Sequence, residues 1–527
     1  MNTEDRFPWT TAIGLAGRNV WRGRVLGVQI RTFISIGLAI ALLGSAAVAF
    51  VPTNRPTSTH TKQNVLVIMT DDETLSELQH MPMVQSLLVN QGTSFDNYYT
   101  TSPNCCPSRA AYYSGQVPHN DGISDNVPPL GGAQKFASHL GETIATWMQR
   151  SGYYTASIGK FLNGWGNPEK PDNWTAGIAA PAGWNHWFGL IDPTTYSYYN
   201  YDVSNDGVRR HYGGQPQDYQ TDVLGQEVVD TISRGNRSGK PWFVSWTPLA
   251  PHVGQGESTD LNNNPIKSLP VPPPAHDGQF SGEPLYSSPS QVYGPAAADS
   301  SDVRDKPKYV RERVSKAPAS RLYVTRAWQK ELESIQGVDD WVGRIYKTLQ
   351  DLGALDNTTI IFTSDNGLFH GEHGLIQKGQ LYEEAVRVPL VVRGPGFPAG
   401  STVSQLAEIT DLAPTILNIG QARTTQPLDG ADLKPLAQDP MVGANRALLL
   451  ETSYSYQHLS TAAIRVGQWA YMAWSDGESE LYDLTKDPYE VHNLAGDPVY
   501  AATATDLSAR LRILQSCAGD SCKMYLQ

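Results

Sequence analysis

Cysteine is scarce in this chain, with four among 527 residues. Two of them, Cys517 and Cys522 in QSCAGDSCKMYLQ, have no further Cys or His beside them to complete a metal site. In an oxidising compartment they read as a small-loop disulfide. Basic charge is short as well: 40 Lys and Arg stand against 52 Asp and Glu, a net charge of −12. That gives no support to nucleic-acid binding, which needs a basic face. It leaves room for an anionic substrate, because a few local cations outweigh a diffuse negative surface. No internal repeat is visible, and a long apolar run occurs once, at 33–51.

That run, FISIGLAIALLGSAAVAFV, follows Arg18, Arg22, Arg24 and Arg31 and ends in small residues, Ala47 to Ala49, suited to a signal peptidase. It reads as an export signal, cleaved or retained as an N-terminal membrane anchor. Residues 1–51 are assigned to it, and the Thr/Pro/Asn-rich stretch 52–63 to a linker. The chain is thus expected to be secreted, periplasmic or held at the cell surface. The sequence carries no signal of oligomeric state.

Length alone allows two to four domains. Five segments share one grammar, a short apolar strand followed by a polar cluster: NVLVIM (64–69), YYTASI (153–158), WFVSW (242–246), TTIIFT (358–363) and VPLVVRG (388–394). Continuous β-rich runs without alternation fit strands covered on both faces, hence a parallel sheet. Helical patterns lie between them, at 137–152 and at 328–353, the second ending at a Gly. The alternation predicts an α/β sandwich over 64–425. Ligands of such sheets sit beyond the carboxyl ends of the strands, so Asp71, Asp72, Lys160, His252, Asp365 and Asn366 are expected to converge. Residues 253–327, rich in Pro and Ser, form a long, partly ordered loop region near the cleft. From 426 to 527 short strands and a late helix predict a smaller C-terminal subdomain with an antiparallel sheet.

The other two cysteines stand in SPNCCPSRAAYYSGQ (102–116). Pro107 suits the first turn of a helix that Gly115 stops. Cys105 then lies at the helix N-terminus, where free N–H groups and the macrodipole favour negative charge. A thiolate would be stabilised there, and so would an oxyanion at the same position, with Arg109 one turn on. A disulfide between the neighbours Cys105 and Cys106 would be strained, so a nucleophile in an anion cradle is the better reading. Asp71, Asp72, Asp365 and Asn366 supply hard oxygen ligands without Cys or His, which favours Ca²⁺ or Mg²⁺ over zinc.

With these residues in hand the sequence resembles the sulfatase family. Cys105-Cys106-Pro107-Ser108-Arg109 with Gly115 matches the family's C-x-P-S-R motif. IMTDDE, IGKFLNGW, LAPH, FTSDNGLFHGEHGL, QKGQLYEEAVRVPLVVRGPG and ELYDLTKDPYEVHNLA follow in the family's order. The GKFLNG form looks most like the branch of N-acetylglucosamine-6-sulfatases and extracellular heparan sulfatases. The resemblance implies an alkaline-phosphatase-like fold and hydrolysis of sulfate monoesters of sugars or aryl alcohols. It implies that a maturation enzyme converts Cys105 to Cα-formylglycine, whose hydrated aldehyde attacks sulfur, while Cys106 fills a variable position. By the same correspondence Asp71, Asp72, Asp365 and Asn366 hold Ca²⁺ (Mg²⁺ second), with residue 105 completing the shell. Arg109 and Lys160 would hold the diol, Lys378 a sulfate oxygen, and His252 would protonate the leaving group.

The chain departs from many arylsulfatases two residues after the lysine of G-K-x-H, where Leu162 stands, followed by Asn163. The base for sulfate elimination is therefore unassigned. His119, His370 and His373 lie near family motifs and read as structural. Two other readings are a phosphonate or phosphate ester hydrolase of the same superfamily and an inactive binding protein. Intact Cys105, Arg109, Lys160, His252 and Lys378 argue against the second.

Overall fold

In the computed structural model of the protein the apolar runs become neighbouring strands of one sheet. The structure describes residues 62–523 apart from 168–177, 255–256, 260–264, 268 and 455–458. The run 33–51 and the linker up to residue 61 lie outside the described residues. Among the described residues no helix is long and apolar enough to cross a membrane.

The sheet has ten strands. In chain order they are β1 (Asn64–Thr70), β2 (Thr93–Phe95), β3 (Tyr154–Gly159), β4 (His186–Leu190) and β5 (Tyr201–Asn205). Then come β6 (Val208–Tyr212), β7 (Trp242–Thr247), β8 (Thr358–Ser364), β9 (Leu390–Arg393) and β10 (Ser401–Val403). Across the sheet they lie in the order β10-β2-β9-β8-β1-β7-β3-β4-β5-β6. All but β5 and β9 run the same way. β9, read from sequence as one more parallel strand, pairs antiparallel with β8. An apolar run reports that both faces are covered, not which way the strand points.

Both faces are indeed covered. Along β1, Val65, Val67 and Met69 enter one core, shared with helices α1 (Cys105–Ser114), α2 (Ile144–Arg150) and α5 (Leu412–Gly420). Leu66 and Ile68 enter the other, shared with α3 (Gln220–Arg237) and α4 (Arg321–Asp351). Two helix boundaries differ from the sequence reading. The helix expected over 137–152 is confined to Ile144–Arg150, because Thr143 and Thr146 close a reciprocal cap at its start, after a 3₁₀ turn at Ala137–His139. α4 begins seven residues earlier than expected, where the Ser320 side chain accepts the Tyr323 N–H.

Within 253–327, Ser301–Arg304 and Lys308–Lys316 are helical, and Val303, Val310 and Val314 are buried. Near the C-terminus β11 (Ala447–Tyr454), β12 (Leu459–Val466), β13 (Trp469–Trp474) and β14 (Ser479–Asp483) form an antiparallel meander. One face, through Leu448, Leu450 and Met472, shares a core with Tyr99 and Tyr382. The other packs on α6 (Ala501–Leu514) through Leu507, Leu511 and Leu514. Cys517 and Cys522 are disulfide-bonded, while Cys105 and Cys106 are free.

Candidate functional site

Register brings the polar clusters together. Thr70 pairs with Ser364, so Asp71-Asp72 and Asp365-Asn366 leave adjacent strands side by side. Gly159 pairs with Thr247, so Lys160 leaves β3 next to the segment that carries His252. Gly159 has φ +113°, and a Cβ there would stand 2.1 Å from the Thr247 carbonyl oxygen. A side chain would push Lys160 away from the site. Asp72 has φ +71°, a turn that Asp tolerates and that swings its carboxylate inward.

Cys105 is the first residue of α1 and is 1% exposed. Its Sγ lies 3.6 Å from Asp71 Oδ1 and accepts from the Lys378 ammonium at 2.8 Å. Gly115 closes the helix in the left-handed conformation at φ +68°. Arg109, fully buried, donates from Nε to Asp365 Oδ2 at 2.7 Å, from Nη2 to Asp71 Oδ2 at 3.2 Å and from Nη1 to the Lys160 carbonyl at 3.0 Å. One guanidinium thus ties three strand ends to the nucleophile helix. Ser108 Oγ donates to the Asp365 carbonyl, and Cys106 N–H to Asn126 Oδ1 at 2.8 Å.

The charges are tightly matched. Lys160 donates to Asp71 Oδ2, and Lys378 to Asp72 Oδ1 and, at 3.2 Å, to Asn366 Oδ1. Burial opposes ionisation of Asp71, but Lys160, His252 and Arg109 together hold it well below the usual carboxylate range. Burial also pushes the Cys105 thiol up to about 12, against the pull of Lys160 and Lys378. Desolvation in a closed core thus works against the thiolate that a helix terminus favours.

Could these residues hold a cation? Ligand atoms of Asp71, Asp72, Cys105 and His252 lie within 4.8 Å of one another. The Lys378 ammonium already bridges Asp72, Asn366 and Cys105, so a positive charge fits between them. The buried oxygen donors Asp71, Asp72, Asp365 and Asn366 suit a hard ion such as Ca²⁺. The donor set fits.

His252 sits at the rim of the cluster. Its Nδ1 donates to the Val253 carbonyl at 2.6 Å, and its Nε2 lies 3.6 Å from Asp72 Oδ2. Burial lowers its pKa, opposed by Asp72 and Asp71. A pocket of about 210 Å³ opens here, lined among others by His252, Lys378, Tyr323, Glu331 and His370. All nine residues singled out from the sequence therefore meet at one end of the sheet.

Other residues stand around these nine, and of them sequence reasoning missed Tyr196 and Arg313. Tyr196 faces the Lys160 ammonium, 5.0 Å from the ring centroid, and packs 5.1 Å from the His252 ring. Its hydroxyl accepts from Asn163 at 2.8 Å. Leu162 is buried in the core. His370, read as structural, lines the pocket and contacts Glu331 Oε2 at 2.5 Å. Arg313, from the 253–327 region, donates to the carbonyls of Ile376 and Lys378 at 3.2 and 3.3 Å and so fixes the lysine's loop. No local pattern marks Tyr196 or Arg313; for Arg313 only the expected position of 253–327 near the cleft gave a hint.

Residues 63–422 match the Sulfatase family profile, and residues 371–517 match N-sulphoglucosamine sulphohydrolase, C-terminal. The chain is 31% identical to an arylsulfatase of Volvox carteri over 92% of its length and 78% of that protein's. It is 28% identical to N-acetylglucosamine-6-sulfatase of Homo sapiens, covering 93% of this chain and 89% of the relative. Among solved structures, BT4656 in complex with its substrate D-glucosamine-2-N,6-O-disulfate superposes with a TM-score of 0.69 at 24% identity, covering 88% of this chain and 98% of the other.

Proposed function

Because the chain belongs to the sulfatase family and is a sulfuric ester hydrolase, we propose that it removes sulfate from sugars, with 6-O-sulfated glucosamine as the first candidate. The relatives named above support an amino sugar. The observation that carries the reading is the convergence on Cys105 Sγ of Lys378, at 2.8 Å, and of Asp71, at 3.6 Å, a carboxylate that both Arg109 and Lys160 hold.

Oxidation of Cys105 to formylglycine supplies, on hydration, an oxygen nucleophile where the sulfur stands. Asp71, Asp72, Asp365 and Asn366 would hold Ca²⁺, which would supply Lewis acidity toward the sulfate oxygens. The chain's own side chains do the rest. Arg109 keeps the carboxylates and residue 105 in fixed register. Lys160 and Lys378 place two positive charges around residue 105 for the sulfate's developing charge. His252 keeps Nδ1 on the Val253 carbonyl, so the proton for the departing sugar oxygen must sit on Nε2 of the imidazolium. The 33–51 run supports export, and conversion of Cys105 calls for a maturation enzyme in the host.

The test compares nitrophenyl sulfate with nitrophenyl phosphate, then screens 6-sulfated glucosamine and other sulfated sugars, alongside peptide mass mapping of residue 105. Expected are a preference for sulfate and an aldehyde at 105 with Cys106 unmodified. Faster phosphate turnover would move the chain to phosphate or phosphonate esters. Activity from wholly unconverted Cys105 would sink the nucleophile.

A further inference from the structure

A second cluster of ligand-type residues lies outside the site just described. His373 occupies a left-handed turn at φ +52° and is 0% exposed. Its Nδ1 stands 3.3 Å from Asp302 Oδ2, and its Nε2 stands 3.7 Å from Glu384 Oε2. One ligand atom each from His373, Glu384 and Glu490 lies within 4.8 Å of the others. Glu490 is 1% exposed and also takes a left-handed backbone, at φ +51°. The contacts with His373 fall within ion-pair range, yet neither of its ring nitrogens finds a hydrogen-bond partner in good geometry, nor does Glu384 Oε2 or either Asp302 oxygen. Buried polar atoms are rarely left so.

Charge points the same way. Asp302, Glu384 and Glu490 gather around His373, and Lys306 is shared: its ammonium lies 3.3 Å from Asp305 Oδ1 and 3.9 Å from Asp302 Oδ1 and donates to the Glu490 and Val491 carbonyls at 2.7 and 2.8 Å. A protonated imidazole adds one positive charge to these four carboxylates and one ammonium, whereas a divalent cation with neutral imidazole adds two. Glu384 also lines, with Glu372, Glu383 and Arg387, a pocket of about 270 Å³.

We propose that His373, Glu384 and Glu490 bind a second divalent cation, of zinc type, with Asp302 fixing the imidazole so that Nε2 faces the ion. An imidazole with two carboxylates suits zinc better than Ca²⁺. Asp302 at the far ring nitrogen is the carboxylate that such histidines recruit to set their tautomer. The ligands come from the loop beyond β8, the short helix Glu383–Val386 and the segment after β14. Asp302 comes from the 253–327 region, so the ion ties the C-terminal sheet and the loop region to the central sheet's edge.

The full-length chain is stripped with chelator, reloaded with Zn²⁺ and analysed for metal by mass spectrometry. One zinc per chain is expected in wild type and in Asp365→Asn, which disturbs only the first site. Asp302→Asn should weaken zinc binding ~10–100-fold, and His373→Gln or Glu384→Gln should abolish it. X-ray absorption of the wild-type zinc protein, which needs no variant to fold, should show one nitrogen and otherwise oxygen ligands at ~2.0–2.2 Å. The proposal is overturned if wild type retains no zinc, if the zinc is lost in Asp365→Asn, or if the ligand variants keep it. The four side chains would then be an ion-pair network around a His373 imidazolium.

Discussion

A sugar alkoxide leaves badly without a proton, whereas nitrophenolate leaves well. That difference isolates His252. General acid catalysis contributes ~10²–10⁴-fold, so His252→Ala should cost a sugar sulfate toward the upper end and an aryl sulfate distinctly less in kcat/KM. Equal losses would instead make His252 a binding or supporting residue. Asp365 serves two neighbours, since it faces the proposed cation and bonds Arg109 at 2.7 Å. Stripping it to Ala would leave a buried guanidinium short of a partner, a change that costs ~3–5 kcal/mol. Asp365→Asn keeps the shape, and it should lose bound Ca²⁺ and turnover together. Full activity after verified removal of the metal would exclude this role. At this scale the sequence was most readable where a residue type is chemically obligatory: carboxylates at strand ends, an arginine one turn from a helix start. It was silent on Tyr196, because a ring that lines a site from a distant turn leaves no spacing to read.

Elements carry a pH dependence of their own. His186 in β4 bridges Asp206 in the β5–β6 turn and Glu227 on α3, each at 3.0 Å. Burial works against its charge, but the bonds to Glu227 and Asp206 prevail and raise its pKa above 6.5. A raised folded-state pKa means stability fully present below ~6.5 and lost as pH climbs through the folded value. Glu227, lowered through His186 and Arg234 against the effect of burial, adds stability above 4.5 that is lost as pH falls through its folded value. Melting temperature should therefore decline on the alkaline side of 6.5, and His186→Gln should flatten that decline; an unchanged slope would dismiss the bridge. Strand positions were legible because apolar runs end in obligatory turns. Helix starts were less so, since α2 begins at a threonine cap inside a longer amphipathic pattern, and β9's direction is set by pairing rather than composition.

For the whole molecule, the parallel centre and the C-terminal meander share more than a chain. Leu448, Leu450, Met472 and Tyr482 occupy the same core as Tyr99, Leu381, Tyr382 and Val386. A chain ending at residue 425 would expose that face, and such apolar patches drive aggregation. Expressed beside the full chain, it should aggregate or fail to give a sharp melting transition; a monodisperse, active product would refute this. The expected α/β class and the separate antiparallel sheet follow from periodicity. That the two share a core does not, because contacts between distant segments write no period into either.

The closed position of Cys105 imposes an order on biosynthesis. At 1% exposure, on the first turn of a helix whose arginine is pinned by three strand ends, the sulfur has no route to another enzyme's active site. Any catalyst that oxidises this side chain must reach it while the chain is still extended, before β1 and β8 pair. Under the conversion proposed for Cys105, maturation and folding would run as a race in time, and a molecule that folded first would be locked out of activity for as long as it stayed folded.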